Sequence, residues 1–396
     1  MRCLWLTWVD PLPEHDGQRM YSGRLIQAMA GAGVDVHVLC TTSSGSQRRD
    51  GDREEGVTWH LVQHPFPPVW MSVASSLPHI AHRSAAPAMQ ARLASMLSEA
   101  RWDCIVFDGL GTGWALDPVR EALDGASPRS RVVYLSHNHE TSMRASIATG
   151  VRRRPIRAAL MHRDAEKVAR LEQRLVDIAD LVTAITPDDA ERFAEQATDK
   201  PILVLPPGYN GRRVAVRRIT SDVPRRAIVV GSFEWIAKQM NLREFLTAAD
   251  PLFAAAGAEL EIVGAGDPRF FDELRGGLGA TRLVGRVDSI SSYLDQARIA
   301  VVAERLGGGF KLKVLDYVFN RLPIAALAGS VAGTPLAADA SMLTFDDHTP
   351  LAKGVLSALD DLDLLNRLQT AAYEACADRF DWSDRGERLS GSIAAL

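Results

Sequence analysis

The 396-residue chain predicts an α/β protein built from two doubly wound domains. Three observations carry this. Apolar strand-like runs alternate with helical patterns, stop at an arginine-rich stretch, and then start again. Several of the runs are apolar along their whole length, as strands are when helices cover both faces of a parallel sheet. At about 150 residues per domain, the length asks for two domains.

In the first half the strand runs lie at 3–8, 34–40, 57–62, 102–107, 132–136, 181–184 and 202–205. Helical patterns at 18–30, 86–100, 112–123 and 157–178 fill gaps between them, with apolar residues at three- and four-residue steps. Residues 211–226 are arginine-rich, contain Pro224 and lack a sustained apolar face, which reads as a linker. Strand runs then follow at 227–230, 260–263, 282–284, 299–302 and 323–326, with helical patterns at 241–256, 269–278, 289–296 and 310–321. Residues 350–378 read as helical and 382–396 as a last helix. The expected division is 1–210, a linker at 211–226, 227–380, and a terminal helix at 381–396. Sheets of this kind bind ligands outside the carboxyl ends of their strands, so two such domains are expected to face each other across a cleft.

Hydrophobic residues are 46% of the chain and charged residues 24%, as in soluble globular enzymes. The net charge of -4 supplies no field suited to nucleic acid, and none is expected as a partner. The opening run MRCLWLTWV soon meets Asp10 and Pro11, so neither a signal peptide nor a membrane span is expected there. Cys3, Cys40, Cys104 and Cys376 are far apart and form no CxxC or Cys/His cluster. No metal site is expected, and a reduced cytoplasmic location fits.

Residues 307–327, GGGFKLKVLDYVFNRLPIAAL, are the most informative segment. Gly307, Gly308 and Gly309 precede a helical pattern that places Lys311 and Lys313 in its opening turn. A helix start already carries partial positive charge, so lysines there work against the helix unless an anion sits at its tip. Glycines let backbone N–H groups approach a phosphate closely. The segment reads as a phosphate grip; the alternative is an ordinary loop and amphipathic helix. It is not a nucleoside-triphosphate loop, because no Ser or Thr follows the lysine.

Several motifs occur in an order that resembles the retaining GT4-like glycosyltransferases of the GT-B fold. Val230-Gly231-Ser232-Phe233-Glu234-Trp235 is similar to that group's domain-opening strand and turn, and Leu283–Asp288 to its Gly-x-Val loop. Gly307–Asp316 is similar to its GGGxxxKxxE stretch, and Arg379-Phe380-Asp381-Trp382-Ser383 to the segment before its last helix. In the first half, Asp16-Gly17-Gln18-Arg19, His137-Asn138-His139-Glu140 and Ala179–Thr183 with Thr186-Pro187 match its first loop, HN-x-E motif and aDxv-T/S strand. The chain departs from the group in three places. Asp316 and Gly308 stand where a Glu pair is usual, and Ser232 where many members carry Arg, with Lys238 the nearest cation.

The resemblance implies two Rossmann-like domains, a terminal helix that crosses back to the first, and transfer of a sugar from a nucleoside diphosphate sugar. It implies no cofactor and no metal, and an acceptor chosen largely by the first domain. His137, Lys238, Lys311 and Asp316 would act on the reacting groups. Gly17, Ser232, Trp235, Gly285, Arg286, Val287, Gly307–Gly309, Phe310 and Lys313 would bind the donor. Asp108, His139 and Glu140 would lie on the acceptor side. Asp316 reads equally well as a ribose-binding carboxylate or as an i+3 ion pair with Lys313. Trp235 reads as a stacking platform or as a buried plug, with burial the commoner fate. A GT-B nucleotide-sugar epimerase and a non-catalytic sugar-nucleotide-binding partner are the rival readings.

The remaining signals are weaker. Asp50-Gly51-Asp52 has a metal-binding DxD spacing but reads as a solvated turn beside arginines. Gly264-Ala265-Gly266 lacks the third glycine of a dinucleotide loop. Arg152–Arg154 with Arg157 and Arg163 reads as a solvated basic face, with peripheral membrane contact left open. Phe66, Trp70 and Met71 suggest an apolar acceptor lining at 65–87.

Overall fold

The computed structural model describes residues 1–14, 16–42, 48–126, 128–150, 155–197, 199–305 and 309–396, with the helical backbone alone at 146–150 and 155–157. The chain divides into two compact units, Met1–Gly208 with Phe380–Leu396, and Tyr209–Arg379.

The first unit is built on a sheet of β1 (Arg2–Thr7), β2 (Asp35–Thr42), β3 (Arg53–Glu54), β4 (Val57–Gln63), β5 (Cys104–Asp108), β6 (Arg131–Leu135), β7 (Leu181–Ala184) and β8 (Ile202–Val204). The strand order is β3-β4-β2-β1-β5-β6-β7-β8, parallel apart from the short β3. β5 is buried at every position, so its side chains meet helices on both faces. Nearer the edge, β4 alternates buried and half-buried residues. The order reverses at β1, whose neighbours are β2 and β5. The carboxyl ends of β1 and β5 therefore frame the crevice where such sheets bind ligands.

The helix Trp382–Ala394 belongs to this unit and packs on the helix Gly17–Gly31. A Cβ at Gly386 would stand 2.1 Å from the Ala28 carbonyl oxygen, so only glycine permits the approach. Arg385 Nε donates to the Pro206 carbonyl at 2.8 Å, and Tyr21 Oη to that of Leu205 at 2.8 Å. Near the opposite edge, His37 and His60 stack with centroids 5.4 Å apart, flanked by Arg2 and Arg92. Burial and then the arginines lower both imidazoles, His60 to about 4. The neutral rings therefore stabilise the fold above the unfolded pKa near 6.5, and this is lost as pH falls toward 4. After discounting for partial exposure, the effect is on the order of 1 kcal/mol. Thermal melts of His60→Gln should fall less steeply than wild type between pH 6.5 and 4.

The four cysteines are buried and free. Cys3 and Cys104 are register partners on β1 and β5, and their hydrogen bond together with burial pushes the Cys3 thiol well up. None should react with a thiol reagent in the native protein, and all four should on denaturation. Early modification of one would show that its strand, or for Cys376 its helix, opens.

The second unit has a six-stranded parallel sheet of β9 (Arg226–Val230), β10 (Glu259–Val263), β11 (Thr281–Gly285), β12 (Ile299–Val302), β13 (Ile324–Leu327) and β14 (Leu343–Phe345), ordered β11-β10-β9-β12-β13-β14. It reverses at β9, placing its crevice at the ends of β9 and β12. Residues 211–226, expected as a linker, group with this unit. Arg217 donates to the carbonyls of Leu294 at 3.0 Å and Ala297 at 2.8 Å, and Ile219 is buried.

Several element bounds differ from expectation. The helix expected at 310–321 is Lys313–Phe319, with Leu312 at its start; past its end Arg321 has φ +52, outside helical backbone. Residues 350–378 form two helices, His348–Ala358 and Leu362–Cys376, the second capped by Asp361. The stretch 112–123 begins as a 3-10 turn, Leu110–Ala115, before the helix Leu116–Leu123. The two- and three-residue strands β3 and β14 are too short to show a period.

Candidate active site

In the second unit, Glu304 stands two residues past β12 and three lysines converge on it. Lys238 Nζ and Lys313 Nζ each lie 2.8 Å from Glu304 Oε1, and Lys311 Nζ lies 3.6 Å from Oε2. The Glu304 side chain is 8% exposed, those of Lys311 and Lys313 are 8% and 11% exposed, and that of Lys238 is 30%. Burial alone would raise the acid, yet the lysines outweigh it and hold the carboxyl far below its usual range. Burial lowers Lys311 to about 8 and also lowers Lys313, against the pull of Glu304.

This corrects the expectation for the grip. Only Lys313 lies in the helix, and Lys311 precedes the Leu312 cap. What concentrates positive charge is the meeting of three chain segments on one carboxylate. Gly307 and Gly308 lie outside the described residues; Gly309 has φ +77 and Phe310 is half-buried. Lys238, offered as a replacement cation on its place in the chain alone, does share the cluster.

Asp316 does not pair with Lys313. Its Oδ1 accepts from Tyr209 Oη at 3.1 Å, and burial pushes its carboxyl up to about 6. The Tyr209 ring stacks on Phe319 with centroids 4.7 Å apart. Ser232 is exposed beside Glu234, and Trp235 is 39% exposed instead of buried. Gly285, φ +86, ends β11, and the exposed Arg286 and half-buried Val287 follow it. The Gly264 stretch ties these turns together: Gly231 N donates to the Val263 carbonyl at 3.0 Å and Gly264 N to that of Gly285 at 2.8 Å. With φ +138, and a Cβ position 1.7 Å from the Gly231 carbonyl oxygen, residue 264 must be glycine.

In the first unit, Asp108 ends β5 and is fully buried. It accepts from Trp5 Nε1 at 2.8 Å and Ser22 Oγ at 3.0 Å, and its Oδ1 lies 2.6 Å from His137 Nε2. Asp108 is thus the residue that orients His137, and it is too enclosed to touch an acceptor as expected. His137, just past β6, also meets Tyr21 edge-on at 5.4 Å. Residue 109 must be small, since a Cβ there would stand 2.9 Å from His137 Cδ2; Gln18 Nε2 lies beside the same point, one residue into the helix that Gly17 opens.

In the polar run at 137–140, His137, His139 and Glu140 are buried yet satisfied and Asn138 is half-buried, which differs from the expectation that a core would reject them. His139 Nδ1 lies 2.5 Å from Ser142 Oγ and its Nε2 3.3 Å from Gln196 Oε1, so it serves the local fold. Glu140 Oε2 takes Arg144 Nε at 3.3 Å. Glu172, unsuspected from sequence, closes this helix start by accepting from the backbone N–H groups of Glu140 at 2.9 Å and Thr141 at 2.8 Å. The Asp50–Asp52 pair closes a turn: Asp50 accepts from Leu61 N at 3.1 Å and Asp52 from Arg49 N at 2.8 Å. Arg152–Arg154 lie outside the described residues. Trp70, on the turn Val69–Val73, is 73% exposed. Among the described residues no cluster of His, Cys, Asp or Glu could hold a metal ion, and no helix is long and apolar enough to cross a membrane.

Comparison with known proteins gives this geometry a family. The glycosyl transferase 4-like domain matches residues 16–208, and the glycosyl transferases group 1 model matches residues 224–361. The chain belongs to the GT4-like glycosyltransferases. Its fold is GT-B. Sucrose-phosphate synthase from Thermosynechococcus elongatus superposes with a TM-score of 0.75 at 18% identity, covering 100% of this chain and 99% of that one. WaaG, a glycosyltransferase involved in lipopolysaccharide biosynthesis, gives 0.65 at 16% identity, covering 100% of both chains. HepE of Anabaena, in complex with UDP and glucose, gives 0.64 at 12% identity, again over 100% of both. These likenesses concern the fold. Among curated proteins, the anthranilate phosphoribosyltransferase of Caulobacter sp. (strain K31) is 30% identical over 161 residues, which is 40% of this glycosyltransferase and 44% of that protein.

Proposed function

We propose that this glycosyltransferase moves a sugar from a nucleoside diphosphate sugar to an acceptor hydroxyl, with retention of anomeric configuration and without a metal. The observation that carries the reading is the lysine cluster at the switch point of the second sheet, formed by Lys238, Lys311 and Lys313. When the bond between the anomeric carbon and the diphosphate breaks, negative charge grows on the leaving oxygens. Preplaced ammonium groups stabilise that charge more in the transition state than in the bound donor. The complex of HepE with UDP and glucose supports a nucleoside diphosphate as the ligand. Asp316 would take ribose hydroxyls, and the loop from Gly285 to Val287 would meet the base.

On the acceptor side, the buried Asp108 carboxylate orients the His137 ring. It would contact the transferred sugar or the acceptor. The new bond joins the acceptor oxygen to the anomeric carbon, and the acceptor proton passes to the departing diphosphate oxygen on the same face.

Thermal melts with UDP, GDP and dTDP test the donor. The accepted nucleotide at a hundredfold excess over its Kd stabilises by about 2.7 kcal/mol, a rise of several degrees. The anomeric configuration of the product, read by proton NMR, tests retention; activity kept in EDTA tests metal independence. Failure of all three nucleotides to raise Tm would remove the diphosphate donor, and epimerised donor formed without acceptor would reassign the reaction.

A further inference from the structure

Three ammonium groups in one half-enclosed place repel each other, and burial opposes each charge separately. Nothing in the sequence motif says how such a cluster holds together. The answer is Glu304, whose Oε1 takes Lys238 and Lys313 at 2.8 Å each while Oε2 stands 3.6 Å from Lys311. Among the described residues Oε2 has no hydrogen-bond partner, and Lys311 faces it as an ion pair. An ammonium has three donors, so each lysine keeps donors for a second anion.

We propose that Glu304 is the positioning residue of the phosphate grip: one buried carboxylate gathers Lys238, Lys311 and Lys313 and leaves the cluster a net charge of +2, matched to a diphosphate. This rests on the donor reading above. Glu304 itself touches neither sugar nor acceptor in this role. It acts through the lysines, by keeping them protonated and converged before the ligand arrives. A preformed cluster of this kind needs no reorganisation when the diphosphate departs.

The groups that act on the Lys311 charge are Glu304, Lys238 and Lys313. The other ionisable groups nearby are committed elsewhere. Tyr317 Oη accepts from Val230 N at 2.9 Å, and its phenol is pushed well up by burial. Arg305 pairs with Asp347 at 2.7 Å, and His348 Nε2 lies 3.1 Å from the Ala303 carbonyl. Asp316 is bonded to Tyr209. A change in the lysines' titration on altering residue 304 is therefore a change made by that carboxylate.

The experiment is calorimetric titration of the full chain with UDP from pH 6 to 10, beside NMR titration of the lysine side chains. In wild type the affinity should fall above about pH 8, where Lys311 loses its proton. In Glu304→Gln, which keeps the shape and removes the charge, both the fall in affinity and the lysine titration should move down by about one pH unit. At pH 8 the variant should bind about fivefold more weakly, because the protonated share of Lys311 falls from about one half to about one tenth. In Glu304→Asp, the charge is kept and the reach shortened, so the midpoint should stay while affinity falls several-fold at every pH. An unchanged lysine midpoint in Glu304→Gln overturns the proposal, as does wild-type affinity in Glu304→Asp. If Glu304→Gln does not fold, the aspartate variant decides. Should UDP bind neither wild type nor variants, the donor reading fails, while the lysine titration still decides the role of Glu304.

Discussion

Replacing Lys311 and Lys313 together by alanine is expected to weaken UDP binding by about a thousandfold. Each lysine would supply a charge-assisted hydrogen bond to the diphosphate, and such bonds contribute about 1.5–3 kcal/mol. Two of them amount to about 3–6 kcal/mol, or roughly two to four decades in Kd. The change also removes the net charge of what remains. Glu304 would keep only Lys238, whose side chain is 30% exposed, so the cluster would fall from +2 to zero. A diphosphate would then face a half-screened carboxylate in place of a cationic pocket. Calorimetry with UDP measures this directly, and circular dichroism checks that the fold persists. Affinity within threefold of wild type would show that the cluster serves folding and that the diphosphate lies elsewhere.

Asp108→Asn should be nearly as damaging, for a different reason. The carboxylate is fully buried and faces Trp5 Nε1, Ser22 Oγ and His137 Nε2. An asparagine offers one accepting oxygen and one NH2 group that donates. That NH2 would meet at least one donor, leaving a buried polar group unsatisfied at about 1–3 kcal/mol. Loss of the negative charge also removes what fixes the His137 ring. Tm should fall by roughly 3–10 °C, and turnover should fall about a hundredfold as His137 loses its orientation. Ser22→Ala removes one of the three partners and should cost about 1 kcal/mol with turnover largely kept. If Asp108→Asn melts like wild type and turns over normally, the buried triad is not what sets His137.

The architecture was legible because strands buried on both faces write a continuous apolar run, as CIVF does in β5 and IAVV in β12. No such run marks β14 or β3, which are too short to carry a pattern. The resemblance to GT4-like glycosyltransferases was legible because its motifs keep their order along the chain. Lys311 and Lys313, which meet Glu304, were visible for the same reason, although the helix-dipole argument placed both in a first turn that holds only one.

Site partners were less legible. Glu304 follows a buried strand as a lone acid, and its one sequence signal was a carboxylate at the end of a central strand. Glu172 lies in the second half of the helix Pro155–Ile178, with no local sign that it closes the start of another helix. Asp108 could be picked as a strand-end acid, but whether it faced an acceptor or a histidine depended on residues 5, 22 and 137, far apart in the chain.

Local chemistry by itself determined most of the strands and the longer helices, and which loops end on glycine and lysine. Those properties follow from side-chain periodicity and backbone freedom within a few residues. Only the tertiary structure decided which charge answers which. Lys238, Glu304 and Lys313 meet because parallel strands bring the ends of β9 and β12 side by side, across dozens of intervening residues. An ion pair is a matter of ångströms in space, and sequence distance does not measure that.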